Sequence, residues 1–223
     1  GCSVVMTFTN HPSTILHEKS APGALSTLQQ KMRFFEQEGV DIVIALPFTY
    51  EMAQRSPQEF ILWVGEYIPF SFFVFGEGAA LGKNASGGAD VMHSIAQEKG
   101  FEVKYVETEN DGGGVISSSR IRQCVRDGDL DEAKRLLGRE YSLFGPVVAG
   151  QNIGKKIGVP TVNIDITGLC LPPRGVYAVR MKTYSDILYG VANIGVSPTV
   201  KHEEEPLLEV HLLDYEDETI PDV

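Results

Sequence analysis

Gly150-Gln151-Asn152-Ile153-Gly154-Lys155-Lys156-Ile157-Gly158-Val159-Pro160-Thr161-Val162-Asn163 is the stretch on which the reading of this chain turns. Glycines recur at 150, 154 and 158, Lys155 and Lys156 stand between the last two, and Pro-Thr-Val-Asn closes the run. Glycine lets a backbone approach a phosphate closely, and lysine answers its charge. The Thr161 hydroxyl and the Asn163 amide oxygen are hard donors of the kind Mg²⁺ accepts. The spacing is not that of a Walker A loop. Gly150-x-x-x-Gly154-Lys155 is one residue short, and Lys156 stands where Ser or Thr is required. The flanks decide the fold. Strand candidates at 141–148, 161–164, 175–181, 188–193 and 207–213 are separated by glycine, proline and polar turns, with no long helix between them. That pattern predicts an antiparallel sheet or small barrel. A phosphate-gripping loop and a plain turn-rich barrel loop both fit the glycine spacing.

Upstream the pattern is different. Residues 4–106 alternate strand-like and helix-like segments, which implies crossover connections and a parallel sheet with helices on both faces. Ser26-Thr27-Leu28-Gln29 has the form of a capping box, and Leu28, Met32 and Phe35 then share one helical face. Ser56-Pro57-Gln58-Glu59 is a stronger start, with Ser as N-cap, Pro at N1 and Glu at N3. Residues 76–88 are glycine-rich loop. A helix is expected over 117–126, ending near Gly128, and a second from Asp129 to Leu137. The change of pattern places a domain boundary at 138/139.

The 223 residues allow one large or two modest domains, and the net charge of −11 makes the chain a poor nucleic-acid binder through its general field. Cys2, Cys124 and Cys170 are far apart and odd in number, which speaks against a disulfide framework and for a reducing, cytoplasmic setting. No apolar run approaches the ~20 residues of a membrane helix, so no membrane partner is expected.

Three further groups of residues carry chemistry. In Leu208-Glu209-Val210-His211-Leu212 the strand period puts Glu209 and His211 on one face. A carboxylate on a barrel's interior or rim can take a proton from a substrate hydroxyl; a polar solvent face is the alternative. Ser117-Ser118-Ser119-Arg120-Ile121-Arg122 offers hydroxyls, helix-start N–H groups and guanidiniums to an anion, or simply caps a helix. Asn10-His11-Pro12 follows the first strand, at the end where open α/β sheets bind ligands, although a histidine before proline also suits a turn.

Taken in order, these pieces resemble the prokaryotic bifunctional riboflavin kinase/FAD synthetase family over nearly the whole chain. Thr7-Phe8-Thr9-Asn10-His11-Pro12 resembles its Thr-Phe-x-Pro-His-Pro segment, and Ser117–Arg122 its Ser-Ser-Thr-x-Ile-Arg motif. Leu136-Leu137-Gly138-Arg139-Glu140-Tyr141 is similar to the junction between its modules. Gly154-x-x-x-Gly158-Val159-Pro160-Thr161-Val162-Asn163 is similar to its kinase motif, and Gly175-Val176-Tyr177-Ala178, Asn193-Ile194-Gly195-x-x-Pro198-Thr199 and Leu208–Asp214 follow in register.

The resemblance implies a Rossmann-like nucleotidyltransferase over 1–138, moving AMP from ATP to FMN, and a small antiparallel six-stranded barrel over 139–223, phosphorylating riboflavin. It implies Glu209 as the kinase base, with Thr161 and Asn163 holding Mg²⁺ and nucleotide beside Gly150, Gly154, Lys155 and Gly158. It implies that Ser118, Ser119 and Arg122 hold ATP phosphates in the transferase, with His11 near the nucleotide. The substrates implied are ATP, riboflavin and FMN.

Some positions depart from the pattern. The family's upstream Phe-Asp-Gly-x-His-x-Gly-His segment and its C-terminal helix have no counterpart here, and Ile153 stands where arginine is common. The loop Gly76-Glu77-Gly78-Ala79-Ala80-Leu81-Gly82 lacks the family's polar and aromatic members. The expectation is a chain incomplete at both ends, or a divergent member with impaired adenylyl transfer. A non-catalytic nucleotide or flavin binder with a regulatory role is the alternative function.

Overall fold

Two strand–helix–strand units open the chain. The computed structural model describes residues 1–16, 21–148, 161–183, 186–198, 204–213 and 215. Strand β1 (Val4–Phe8) and strand β2 (Ile42–Leu46) pair in parallel, with Val4 opposite Ile42 and Phe8 opposite Leu46. Helices α1 (Ser13–Leu16) and α2 (Leu28–Gln37) lie between them in sequence. Helices α3 (Tyr50–Gln54) and α4 (Pro57–Tyr67) follow. Strand β3 (Phe72–Gly76), helix α5 (Ala89–Lys99) and strand β4 (Glu102–Val106) form the second unit, with Phe72 opposite Glu102. The expected parallel arrangement is thus present, as two sheets of two strands each. Parallel neighbours cannot be joined by a tight turn, so the helical crossovers are obligatory.

Local chemistry starts the helices. At α4 the Ser56 hydroxyl accepts from the Glu59 N–H at 3.2 Å, and the Glu59 carboxylate accepts from the Ser56 N–H at 2.7 Å. Two orphan donors are satisfied reciprocally, with Pro57 in the first turn where its missing N–H costs nothing. At α2 the reciprocal pair is Thr27 and Gln30, at 3.0 and 3.3 Å, one residue later than the expected Ser26 and Gln29. The cause is tertiary. Gln30 Nε2 also donates to the carbonyl and hydroxyl of Ser142, at 3.1 and 3.0 Å, so burying this glutamine fixes the start.

Ile61, Met92 and Ile95 form a core with Phe70, Phe73, Phe75, Phe101 and Val103 against them. Phe70 meets Phe73 edge to face, with centroids 5.0 Å apart; such aromatic pairs add about 0.5–1.5 kcal/mol to their burial.

Helices α6 (Ser118–Asp127) and α7 (Leu130–Leu137) fall where the sequence places them. Gly128 ends α6 in the left-handed region at φ 79°, and Asp129 caps α7 by accepting from the Glu132 N–H at 3.1 Å.

Five strands then form one antiparallel sheet among the described residues, where six were expected. They are β5 (Val147–Val148), β6 (Thr161–Asp165), β7 (Gly175–Lys182), β8 (Ile187–Pro198) and β9 (Glu204–Leu212), in the order β5-β6-β9-β8-β7. The segment 141–148 is strand only at its end. Tyr141 donates its hydroxyl to the Cys170 carbonyl, and the chain then passes Asp165 so closely that a Cβ at Gly145 would lie 1.8 Å from the Asp165 carbonyl oxygen. Val162, Ile164, Ile166, Met181, Ala192, Ile194, Leu208, Val210 and Leu212 make the core on one face of the sheet.

The chain divides into two compact units: Gly1–Ala21 with Glu36–Ile116, and Pro22–Phe35 with Ser117–Val223. In the second unit, Ala24 bridges to Leu169, and Arg139 lies over the Phe34 ring at 3.9 Å. Among the described residues, no helix is long and apolar enough to cross a membrane.

Candidate active site

The alternation along β6 and β9 sorts their side chains. Val162 and Ile164, Leu208 and Val210 face the core. Thr161, Asn163, Glu209 and His211 therefore lie on the opposite face, so Glu209 projects away from the packed interior. The register sets Asn163 directly opposite Glu209, and Thr161 directly opposite His211. Directly opposed residues of antiparallel strands share a face, with Cβ atoms about 4.5–5.5 Å apart. The predicted base and the predicted Mg²⁺ ligand are thus brought side by side by strand pairing alone.

Their environments differ. Asn163 is 6% exposed although it lies off the core face. Its Oδ1 is buried and has no hydrogen-bond partner among the described residues. An unpaired buried acceptor costs about 1–3 kcal/mol, and native folds retain such atoms chiefly where something else coordinates them. Glu209 is partly exposed. A partly exposed carboxylate next to a buried oxygen donor can receive a proton beside a bound cation. Among the described residues, no cluster of three or more His, Cys, Asp or Glu side chains could hold a metal. The neutral oxygens of Thr161 and Asn163 would then need ligand phosphates or water to complete a shell. The expected contacts of Gly150, Gly154, Lys155 and Gly158 lie outside the described residues.

The α6 start falls where the sequence places it. Ser117 caps the helix, accepting from the Arg120 N–H at 3.3 Å. Ser118 and Ser119 are exposed in the first turn, where the N–H groups of a helix lack intrahelical partners. Arg120 is held in an ion pair with Glu132 of α7 at 2.9 Å. Arg135 and Arg120 together hold the Glu132 carboxyl below its usual range. Arg122 donates from Nε to the Gly23 carbonyl at 2.8 Å, and its terminal amino groups make no hydrogen bond among the described residues. Ser118, Ser119 and Arg122 therefore keep donors available, and Arg120 serves the α6–α7 pair.

His11 is exposed and lies in the other compact unit. Its Nδ1 accepts from the Ser13 N–H at 3.2 Å and lies 2.7 Å from the Ser13 hydroxyl. With Nδ1 accepting, the neutral ring carries its proton on Nε2 as a donor. Asn10 pins this loop, exchanging hydrogen bonds with the Phe48 backbone at 2.7 and 3.0 Å.

Asn193 is a neighbour of Glu209 that the motif alone does not reveal. On β8 it stands opposite Glu209, on the side away from Asn163. The only sequence signal was its place in Asn193-Ile194-Gly195; the neighbour relation itself is a matter of register.

Comparison with known proteins bears on both halves. Residues 1–120 match the family model described as FAD synthetase, and residues 137–222 match the one described as riboflavin kinase. The chain is 34% identical over 213 residues to the bifunctional riboflavin kinase/FMN adenylyltransferase of Escherichia coli K12, covering 95% of this chain and 68% of that protein. It is 35% identical over 219 residues to the protein of the same description from Bacillus subtilis 168, covering 96% and 69%. A solved structure described as a macrolide-efflux protein from Streptococcus pneumoniae aligns with a TM-score of 0.80 at 27% identity, covering 99% of this chain and 76% of that one.

Proposed function

The chain belongs to the bifunctional riboflavin kinase/FMN adenylyltransferase family, and from that premise we propose that it makes flavin nucleotides at two sites. Residues 139–223 phosphorylate riboflavin to FMN with ATP, and residues 1–138 transfer AMP from ATP to FMN, giving FAD.

The opposition of Asn163 and Glu209 across β6 and β9 is the observation that carries the kinase half. Glu209 accepts the proton of the ribityl hydroxyl. That oxygen bonds to the γ-phosphorus of ATP as the bond from γ-phosphorus to the β-bridging oxygen breaks, and ADP leaves. The buried Oδ1 of Asn163, without a partner among the described residues, suits a hard cation, so Asn163 and Thr161 are the residues that would hold Mg²⁺. When bound, Mg²⁺ supplies neutralisation of the phosphate charge. Gly150, Gly154, Lys155 and Gly158 are assigned to the nucleotide phosphates by their motif.

In the transferase a phosphate oxygen of FMN bonds to the α-phosphorus of ATP, and pyrophosphate departs. No proton need be removed from an ionised phosphate, so the residues required are charge stabilisers. Ser118 and Ser119 offer hydroxyls at a helix N-terminus, and Arg122 offers its terminal amino groups. His11 is assigned as a donor to nucleotide through Nε2.

The test is product analysis of the full chain incubated with riboflavin, ATP and Mg²⁺. FMN followed by FAD is the expected sequence. Tight binding of riboflavin or ATP with no turnover of either step would replace this reading by a regulatory binder.

A further inference from the structure

Arg122 is gripped at two points, and both lead to one buried residue. Its side chain donates from Nε to the Gly23 carbonyl at 2.8 Å, and its own carbonyl accepts from the Cys170 thiol at 3.7 Å. Cys170 is 2% exposed and lies between β6 and β7 in sequence, in the half of the chain that carries Thr161, Asn163 and Glu209. Burial pushes its thiol above the usual range, so the sulfur stays a neutral S–H donor.

Gly23 packs on the same residue. A Cβ built on it would lie 2.8 Å from the Cα and the N of Cys170 and 2.9 Å from the Leu169 carbonyl oxygen, so the space admits no side chain. The Ala24 N–H donates to the Gly168 carbonyl at 2.8 Å, and the Cys170 N–H donates to the Ala24 carbonyl at 2.9 Å. The Cys170 carbonyl in turn accepts the Tyr141 hydroxyl. All of these residues belong to one compact unit.

The consequence for Arg122 is geometric. A guanidinium is planar and rigid, so a fixed Nε–H fixes the plane in which the two terminal amino groups point. Neither amino group has a hydrogen-bond partner among the described residues. An arginine without such an anchor samples many rotamers, and ordering them on binding weakens its hold on an anion.

We propose that Gly23 is a positioning residue for Arg122: its carbonyl, seated on Cys170, aims the terminal amino groups at the phosphates of the transferase's nucleotide. The phosphate grip of the AMP-transfer half is thereby built on a segment of the kinase half. This rests on the reading of Arg122 as a phosphate ligand.

The experiment uses the full chain, inorganic pyrophosphate as the probe, and NMR of the Arg122 guanidinium, assigned by its loss in Arg122→Lys. Exchange of the Nε–H with water reads the contact, and the shift of ¹³Cζ on adding pyrophosphate reads the anion. In wild type the Nε–H exchanges about tenfold more slowly than that of free arginine, and pyrophosphate moves ¹³Cζ. In Gly23→Ala the protection is lost, and the dissociation constant for pyrophosphate rises about tenfold. KM for ATP in FMN adenylylation rises with it, while KM for ATP in the kinase reaction is unchanged. In an Arg122→Lys background Gly23→Ala adds no further change, whereas a merely structural defect adds its cost in both backgrounds. A wild-type Nε–H that exchanges as fast as free arginine overturns the proposal, and that measurement stands even where Gly23→Ala fails to fold. Unchanged pyrophosphate affinity in a folded Gly23→Ala overturns it too, as does a wild-type ¹³Cζ that ignores pyrophosphate. If wild type does not adenylylate FMN, the two NMR readings still decide the proposal, and only the reading of the reaction falls.

Discussion

Asn163 and Glu209 face one another across neighbouring strands, one 6% exposed with an oxygen that has no partner among the described residues, the other partly exposed. Glu209→Gln keeps size and hydrogen bonding but removes the proton acceptor. Riboflavin kinase turnover is expected to fall by about 10²–10⁴-fold, the usual worth of a positioned base. The thermal midpoint and FMN adenylylation should be unchanged. Kinase activity within a few-fold of wild type would remove Glu209 from the mechanism.

Asn163→Leu gives effects of opposite sign on stability and activity. Leucine keeps the branching of asparagine and discards the unpaired oxygen, so the fold gains about 1 kcal/mol, roughly 2–4 °C in Tm. Mg²⁺-dependent kinase activity is lost at the same time. A lower Tm with activity retained would mean that the buried oxygen is neither a liability nor a ligand.

Gly145→Ala tests a close approach. The new methyl would meet the Asp165 carbonyl oxygen at 1.8 Å, at the end of β6. Backbone must move, at a cost of about 2–4 kcal/mol. Chemical denaturation should show a lowered midpoint with an unchanged slope, whereas an unperturbed midpoint would show that the 143–146 segment moves aside freely.

Glu132 links α6 and α7 through Arg135 and Arg120, which lower its carboxyl from the usual value. A depressed carboxyl contributes stability above its unfolded value, near 4.3, and loses that contribution as pH falls through the folded value. Wild type should therefore exceed Glu132→Gln in stability at pH 7, with the gap closing below about pH 4.3. A gap constant down to pH 3 would assign the effect to packing.

What could be read from the sequence follows the range of the interactions involved. The Ser56–Glu59 start of α4 and the Asp129 cap of α7 are decided within four residues, and both were legible. The start of α2 was read one residue early, because Gln30 is selected by Ser142, 112 positions away. The alternation of β9 put Glu209 and His211 on one face correctly. Which face was packed depended on Val162, Ala192 and Ile194 of other strands. Arg120 looked equivalent to Arg122 until Glu132 claimed it. Asn193 was visible as a motif letter but not as a neighbour of Glu209, since register belongs to the assembled sheet.

The grouping of residues 22–35 with 117–223 has a consequence for how the chain is made. Ala24 exchanges backbone hydrogen bonds with Gly168 and Cys170, at 2.8 and 2.9 Å. On a ribosome adding about 5–20 residues per second, Ala24 emerges on the order of ten seconds before those partners. During that interval the segment has no native contact to make with them, and folding by simple order of emergence is impossible for it. A gene cut at the boundary between the two activities would likewise separate Ala24 from Cys170. The barrel expressed alone should therefore be less stable than within the intact chain, and supplying residues 22–35 as a peptide should restore part of the difference.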